Sequence, residues 1–347
     1  MKYCYVWALA LCLAAGAEDI TPRVGSVEIY GVRKVSVQKI RSAVGVKQGD
    51  PLPSREDVED RIDKLSGVLA SRVEATCCTD AGTTLYVGIE EREAPHIEYH
   101  PAPTGQVALP VELVGNYHTF LDAVGDSIRG KNADEDLTNG YSLMADPACR
   151  ELQQAFIPFV ERDLALIDQV VRDSADSEQR TIAAYLLQYA PRTPRASKVM
   201  LDALQYALQD QEDTVRESAM RSLRAIAVGA KLHPEQRIRI EPTWFVELMN
   251  SVVWSDRHNA TLALVNLTDK DDPETLALIR ERALPSVIEM ARWHKLPDAL
   301  PAFILAGRLA GLGENDIQQA WISGDREPVL EQALNPKKKH RSTKKEG

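Results

Sequence analysis

Residues Asp210 to Leu223 read DQEDTVRESAMRSL, an acidic turn followed by helical spacing of Arg216, Ala219 and Leu223. The octet Arg216-Glu-Ser-Ala219-Met-Arg-Ser-Leu223 is echoed upstream by Arg180-Thr-Ile-Ala183-Ala-Tyr-Leu-Leu187 and downstream by Arg257-His-Asn-Ala260-Thr-Leu-Ala-Leu264. The shared alanines stand 36 and then 41 residues apart, and an acidic turn such as Asp173-Ser-Ala-Asp176 or Asp210-Gln-Glu-Asp213 leads into the unit. A small alanine lets neighbouring helices approach closely, and a leucine four residues on fills the layer between them. Self-similarity at this period is the signature of stacked helical units; an ordinary globular bundle of Ala-rich helices is the alternative.

The D-x-x-x-x-V-R-x-x-A-x-x-x-L arrangement, cleanest at Asp210 to Leu223, resembles HEAT repeats over roughly Glu151 to Ala320, with a degenerate fourth copy at Pro301 to Leu312. The resemblance implies a curved solenoid whose concave face binds partners and whose end repeats are atypical. It also implies a structural role for the arginine, which in such repeats pairs with an acidic residue of an adjacent turn. Arg180, Asp213, Arg216 and Arg257 are therefore expected to hold successive units in register, in preference to contacting a ligand.

Upstream, Val114, Tyr117, Leu121, Val124 and Ile128 form one helical stripe, and Asn132 to Tyr141 is a polar loop. From Leu152 the stripe resumes through Phe156, Phe159, Leu164, Ile167 and Val171, with Pro158 kinking or splitting that helix. His96 to Pro110 holds Pro101, Pro103, Gly105 and Pro110 without periodicity and reads as an interdomain linker.

Before the linker the spacing changes. Val27 and Ile29 alternate on a strand closed by Gly31; Ser36 caps a helix carrying Val37, Ile40 and Val44 and stopped by Gly45. Ser54 and Asp57 resemble a capping box for a second helix with Val58, Ile62 and Leu65. Arg72 to Cys78 and Thr83 to Glu90 alternate with period two around the turn Thr79-Asp80-Ala81-Gly82. The fold class is thus a small α+β domain of order βααββ joined to an all-α helical-repeat solenoid, mostly α overall.

That order, the glycine after the first strand, the G-x-x-x-GDP element and the ending Gly88-Ile89-Glu90-Glu91-Arg92-Glu93-Ala94-Pro95 resemble a POTRA domain over about seventy residues. The resemblance implies a module outside the inner membrane that binds polypeptides, often by lending a sheet edge to an extended segment. The first and last strands are the expected docking edges, with Val27, Ile29, Tyr30, Tyr86 and Val87 as the partner-binding residues. Members of that family that carry a membrane barrel or anchor differ from this chain, so barrel assembly or cell division is not implied.

Lys2, the apolar run Tyr5 to Ala17 and Ala15-Gly16-Ala17 make a secretory signal peptide, with an uncleaved anchor as the rival reading. The expected domains are therefore a leader over 1–17, the POTRA-like domain over 18–95, the linker over 96–110, the helical domain over 111–330 and a basic tail over 331–347. Cleavage removes Cys4 and Cys12 and leaves Cys77, Cys78 and Cys149, too few for a disulfide framework; only Cys78 is placed to reach Cys149. The net charge is −10, yet Lys337, Lys338, Lys339, Arg341, Lys344 and Lys345 face only Glu346 in the tail. Such a tail is solvated or makes a weak electrostatic contact with an anionic surface; no nucleic acid is expected.

Chemistry is sparse. In HIEYH, His96 and His100 flank a misplaced Glu98 between prolines, so no metal is expected, and Asp269-Lys-Asp271-Asp272 lacks the glycine and glutamate of a calcium loop. There is no P-loop, GxSxG or GxGxxG. No cofactor is expected. Two functions remain: a non-enzymatic exported scaffold binding envelope polypeptides, or an envelope enzyme or enzyme subunit with a carboxylate site at Asp134, Glu135 and Asp136.

Overall fold

The computed structural model describes residues 22–79, 82–269 and 272–336. The leader with Cys4 and Cys12, the turn residues Asp80 and Ala81, Asp271, the side chain of Cys78 and the basic tail from Lys337 lie outside the described residues. The chain is mostly helical, with a small three-stranded sheet near its amino terminus.

The first module has the order β1 (Val24–Tyr30), α1 (Val37–Val44), α2 (Arg55–Asp63), β2 (Val68–Thr79), β3 (Gly82–Glu91). Gly45 ends α1 in the left-handed region at φ 71°, and Ser54 accepts the Asp57 amide at the start of α2. Ser36 occupies the cap position of α1 without making a side-chain cap bond. The strands lie in the order β1-β3-β2, β1 parallel and β2 antiparallel to the central β3. One sheet face buries Val24, Val68, Val73, Leu85, Val87 and Ile89 against Ile40, Val44, Val58 and Ile62 of α1 and α2.

The helical body comprises α3 (Val111–Arg129), the two-residue strands β4 (Glu135–Asp136) and β5 (Leu143–Met144), α4 (Pro147–Asp173), α5 (Ser177–Leu186), α6 (Pro194–Ala207), α7 (Asp213–Leu232), α8 (Thr243–Leu248), α9 (Trp254–Leu267), α10 (Pro273–Arg282), α11 (Leu284–Ala291), α12 (Leu296–Leu309), α13 (Glu314–Ser323) and α14 (Glu327–Leu334). Helices α5, α7, α9 and α12 pack successively as one row; α6 lies against α4 and α7, and α8 against α9 and α10. The last helix carries the body beyond the expected boundary at 330.

Three helical details differ from the sequence expectation. On α3 the buried residues are Leu113, Tyr117, Phe120 and Ser127, whereas Leu121 and Ile128 are exposed. The helix turns by about one residue to set Tyr117 and Phe120 among Phe156 and Tyr185. In α4 the backbone break falls at Asp163, beyond Pro158, which stays inside the helix. The fourth member of the row begins at Leu296, five residues before the expected copy, with Pro301 buried inside it.

Candidate interaction site between the sheet and the helical body

Arginines on three consecutive row helices build a ladder. Arg180 forks onto Asp210 through Nε (2.7 Å) and Nη2 (2.9 Å), and Arg216 onto Asp256 through Nε (3.0 Å) and Nη2 (2.7 Å). Both arginines are almost wholly buried, and each also donates through Nη1 to the backbone of its own turn, at Ser174 and Asp210. Arg257 donates to Ser251 O at 2.6 Å and pairs with Glu289 at 2.9 Å. Among the described residues the expected register partner Asp213, the first residue of α7, makes no ion pair; Asp210 and Asp256 complete the forks instead. A buried charge left without its partner costs about 3–5 kcal/mol, so each rung fixes the spacing of two units.

The second face of the sheet lies on this ladder. Tyr30 donates to Val252 O at 2.8 Å with the Arg257 guanidinium 4.4 Å above its ring, and the Gly31 amide is held by both oxygens of Glu289. Tyr86 donates to Asp298 at 2.6 Å, stacks on Trp254 (5.0 Å) and meets Trp293 at a tilt (4.8 Å). Burial pushes both tyrosine hydroxyls above their ordinary range, so both remain donors.

Two carboxylates of the sheet hold backbone amides of the body, one of them at the start of a helix. The α9 cap position is Val253, which has no side-chain acceptor; Glu74 supplies one, taking the amides of Trp254 (2.6 Å) and Ser255 (3.3 Å). Just before α12, whose cap residue Lys295 makes no cap bond, Glu28 takes the amide of His294 at 2.6 Å and its Nδ1 at 2.8 Å. Burial raises Glu74 above the ordinary carboxylate value, its two amide donors pulling the other way. At Gly88 on β3 a Cβ would overlap the carbonyl oxygen of Val252, so the two backbones meet there only because no side chain intervenes.

This arrangement corrects the expected docking residues. β3 is the central strand, paired on both sides, so Tyr86 and Val87 belong to no free edge. Val27 and Ile29 pack toward α1 and α2, Val87 is buried in that same core, and Tyr30 and Tyr86 join the core of the helical body. The start of β1 is closed as well: Val24 N donates to Asp50 O and Gly49 N to Val24 O. β1 beyond its start and β2 are the outer strands, and on β2 Glu59 takes the amide of Val73 at 2.7 Å. That amide, and by the pleat that of Ala75, points away from β3.

The segment 96–110 has no helix or strand, as expected of a linker, but it is pinned across the turns of the row. His100 N donates to Gln209 O, Gly105 exchanges bonds with Asp173 O and Ala175 N, and Leu109 N donates to Gln179. Tyr99 lies under the Arg216 guanidinium at 4.4 Å, its hydroxyl pushed up to about 12 by burial. A cavity of about 340 Å³ remains where module, linker and body meet, lined by Arg33, Glu91, Ile97, Tyr99, Asn250 and Ser286 among others.

The polar loop is engaged internally. Glu135 binds Arg221 (2.8 Å), Arg224 (3.5 Å) and Ser142 (3.1 Å), and Asp136 accepts from Thr138. Asp134 contributes its carbonyl to the Ala145 amide. His96 bonds Glu90 while His100 packs on Tyr206, so the two histidines of HIEYH serve different neighbours. Among the described residues no three His, Cys, Asp or Glu gather as a metal site. Cys149 is a buried free thiol, so no bridge joins it to Cys78.

No known protein family and no curated protein matches the chain. Among solved structures it is similar to two engineered proteins of the Northeast Structural Genomics Consortium. One is 17% identical, covering 65% of this chain and 96% of its own, at a TM-score of 0.38; the other is 19% identical, covering 55% and 92%, at 0.32. Scores that low leave fold and site to be read from this chain itself.

Proposed function

We propose that the protein is an exported, non-enzymatic scaffold that binds an envelope polypeptide. In this reading the helical body is a HEAT-like α-solenoid, supported by the packed row α5, α7, α9, α12 and the arginine ladder along it. The body holds the POTRA-like module by the seam, and the module offers β2 to an extended segment. The observation that carries the reading is that β2 is paired on one side only, with the amide of Ala75 pointing outward beside that of Val73, which Glu59 holds. The leader delivers the chain outside the cytoplasm, and the basic tail adds at most a weak contact with an anionic surface. No cofactor, metal or nucleic acid enters this function.

Ala75→Pro tests it, because proline there removes one outward amide and leaves the bonds to β3. A polypeptide retained from an envelope extract by the wild-type chain is expected to fall roughly tenfold in affinity for the variant, with the helical content of both unchanged. Equal retention by the variant refutes edge binding. The exported chain is expected to begin at Glu18, which intact mass reads directly.

A further inference from the structure

The ladder follows a positional rule. Arg180, Arg216 and Arg257 are each the fourth residue of their helices, and each donates to the carbonyl six residues back. In the second rung the acid is Asp256, the third residue of the next row helix. Carried forward, the arrangement of the second rung, though not of the first, where Asp210 lies three residues ahead of α7, pairs Arg257 on α9 with Asp298, the third residue of α12, which packs on α9. The structure departs from it there. Asp298, buried, instead accepts from Tyr86 and pairs with Lys295 at 3.2 Å, while Arg257 turns to Glu289 beneath the Tyr30 ring. Both displacing tyrosines come from the sheet.

We propose that the third rung is a two-state latch for the module. With the sheet docked, Tyr86 holds Asp298 and Glu289 bridges Arg257 to the Gly31 amide. With the sheet released, Arg257 and Asp298 close on each other as Arg216 and Asp256 do, so Asp298 exchanges the lost Tyr86 donor for a guanidinium and the released body regains a rung. Release uncovers Trp254, Trp293 and the amino ends of α9 and α12. That surface suits a strand presenting acidic and aromatic residues on one face, as the departing sheet does with Glu28, Tyr30, Glu74 and Tyr86. The latch stands independently of partner binding at β2.

Asp298→Asn distinguishes a latch from a plain contact. Asparagine still accepts from Tyr86 but loses the charge that would attract Arg257, so it weakens the released state more than the docked one. In hydrogen exchange on the full chain, the Gly31 and Trp254 amides are expected to slow roughly tenfold in Asp298→Asn and to quicken in Tyr86→Phe. The double variant is expected to exchange more slowly than Tyr86→Phe alone. Amides of the β2–β3 ladder and of α7 report whether each variant stays folded. Faster exchange in Asp298→Asn, with those reference amides unchanged, overturns the latch and leaves Asp298 a simple acceptor.

Discussion

The two faces of the three-stranded sheet are built from opposite chemistry. Toward α1 and α2 it presents Val73, Leu85, Val87 and Ile89, each contributing roughly 1.5–3 kcal/mol by burial in no particular direction. Toward the helical body it presents Glu28, Tyr30, Glu74, Tyr86 and Gly88, whose contacts depend on orientation: carboxylate bonds to the amides of Trp254 and His294, two hydroxyl bonds, a stacked ring and one backbone approach. The aliphatic face makes the module a folding unit. The polar face sets where the module sits, and a seam of this kind resembles a separable interface more than a divided core.

The largest effect that would break this contrast is predicted at Gly88. Gly88→Ala forces a methyl into Val252 O, and the module is expected to undock while its own strands remain paired, seen as deprotection of Gly31 without loss at β3. Next, Arg216→Ala leaves Asp256 buried and unpaired and is expected to cost about 3–5 kcal/mol in thermal or denaturant unfolding. Replacing both members of that rung by leucine is expected to recover most of the loss.

Glu74 sharpens the comparison by charge. Glu74→Ala removes the α9 cap and is expected to cost about 1 kcal/mol, whereas Glu74→Gln keeps an acceptor and is expected to be near neutral. Because the folded carboxyl is raised above its ordinary value of 4.5, its contribution to stability is full below that value and is lost as pH rises through the raised one. The stability difference between Glu74→Gln and wild type is therefore expected to move in favour of the glutamine as pH increases across that window. Smallest are Leu121→Gln and Ile128→Gln on the exposed side of α3, expected within about 0.5 kcal/mol, against about 3–5 kcal/mol for Phe120→Ala beside them.

Much of the architecture was legible in local pattern. Alternation at Val27 and Ile29, the helical spacing of Val58 and Ile62, and the glycine stop at Gly45 place the βααββ elements, and the recurring Arg-Ala-Leu octets place α5, α7 and α9. Strand order was not legible, because a parallel partner for β1 is decided by the crossover through two helices and not by any residue of β3. The seam left a trace that alternation alone did not weigh: Tyr30 and Tyr86 stand on the face opposite Ile29 and Val87, and an aromatic on the supposed solvent face marks a second buried face. The α3 stripe misled because Val114, Leu121 and Ile128 recur as regularly as the aromatic pair that wins burial. Of the ladder acids Asp210 lies in a named acidic turn, whereas Asp256 and Glu289 escaped that pattern, since they sit within helices and are found only once those helices pack.

The account's central claim is that two carboxylates of the sheet hold backbone amides of the body, Glu74 those at the start of α9 and Glu28 that of His294 ahead of α12. Hydrogen exchange at the amides of Trp254 and His294 in the full chain tests it most directly, because an amide in the first turn of a helix or ahead of it has no acceptor within that helix. Slow exchange at both in the wild type, lost together in Gly88→Ala while β3 stays protected, is the predicted result. Fast exchange at both in the wild type, or no change in Gly88→Ala, would contradict it.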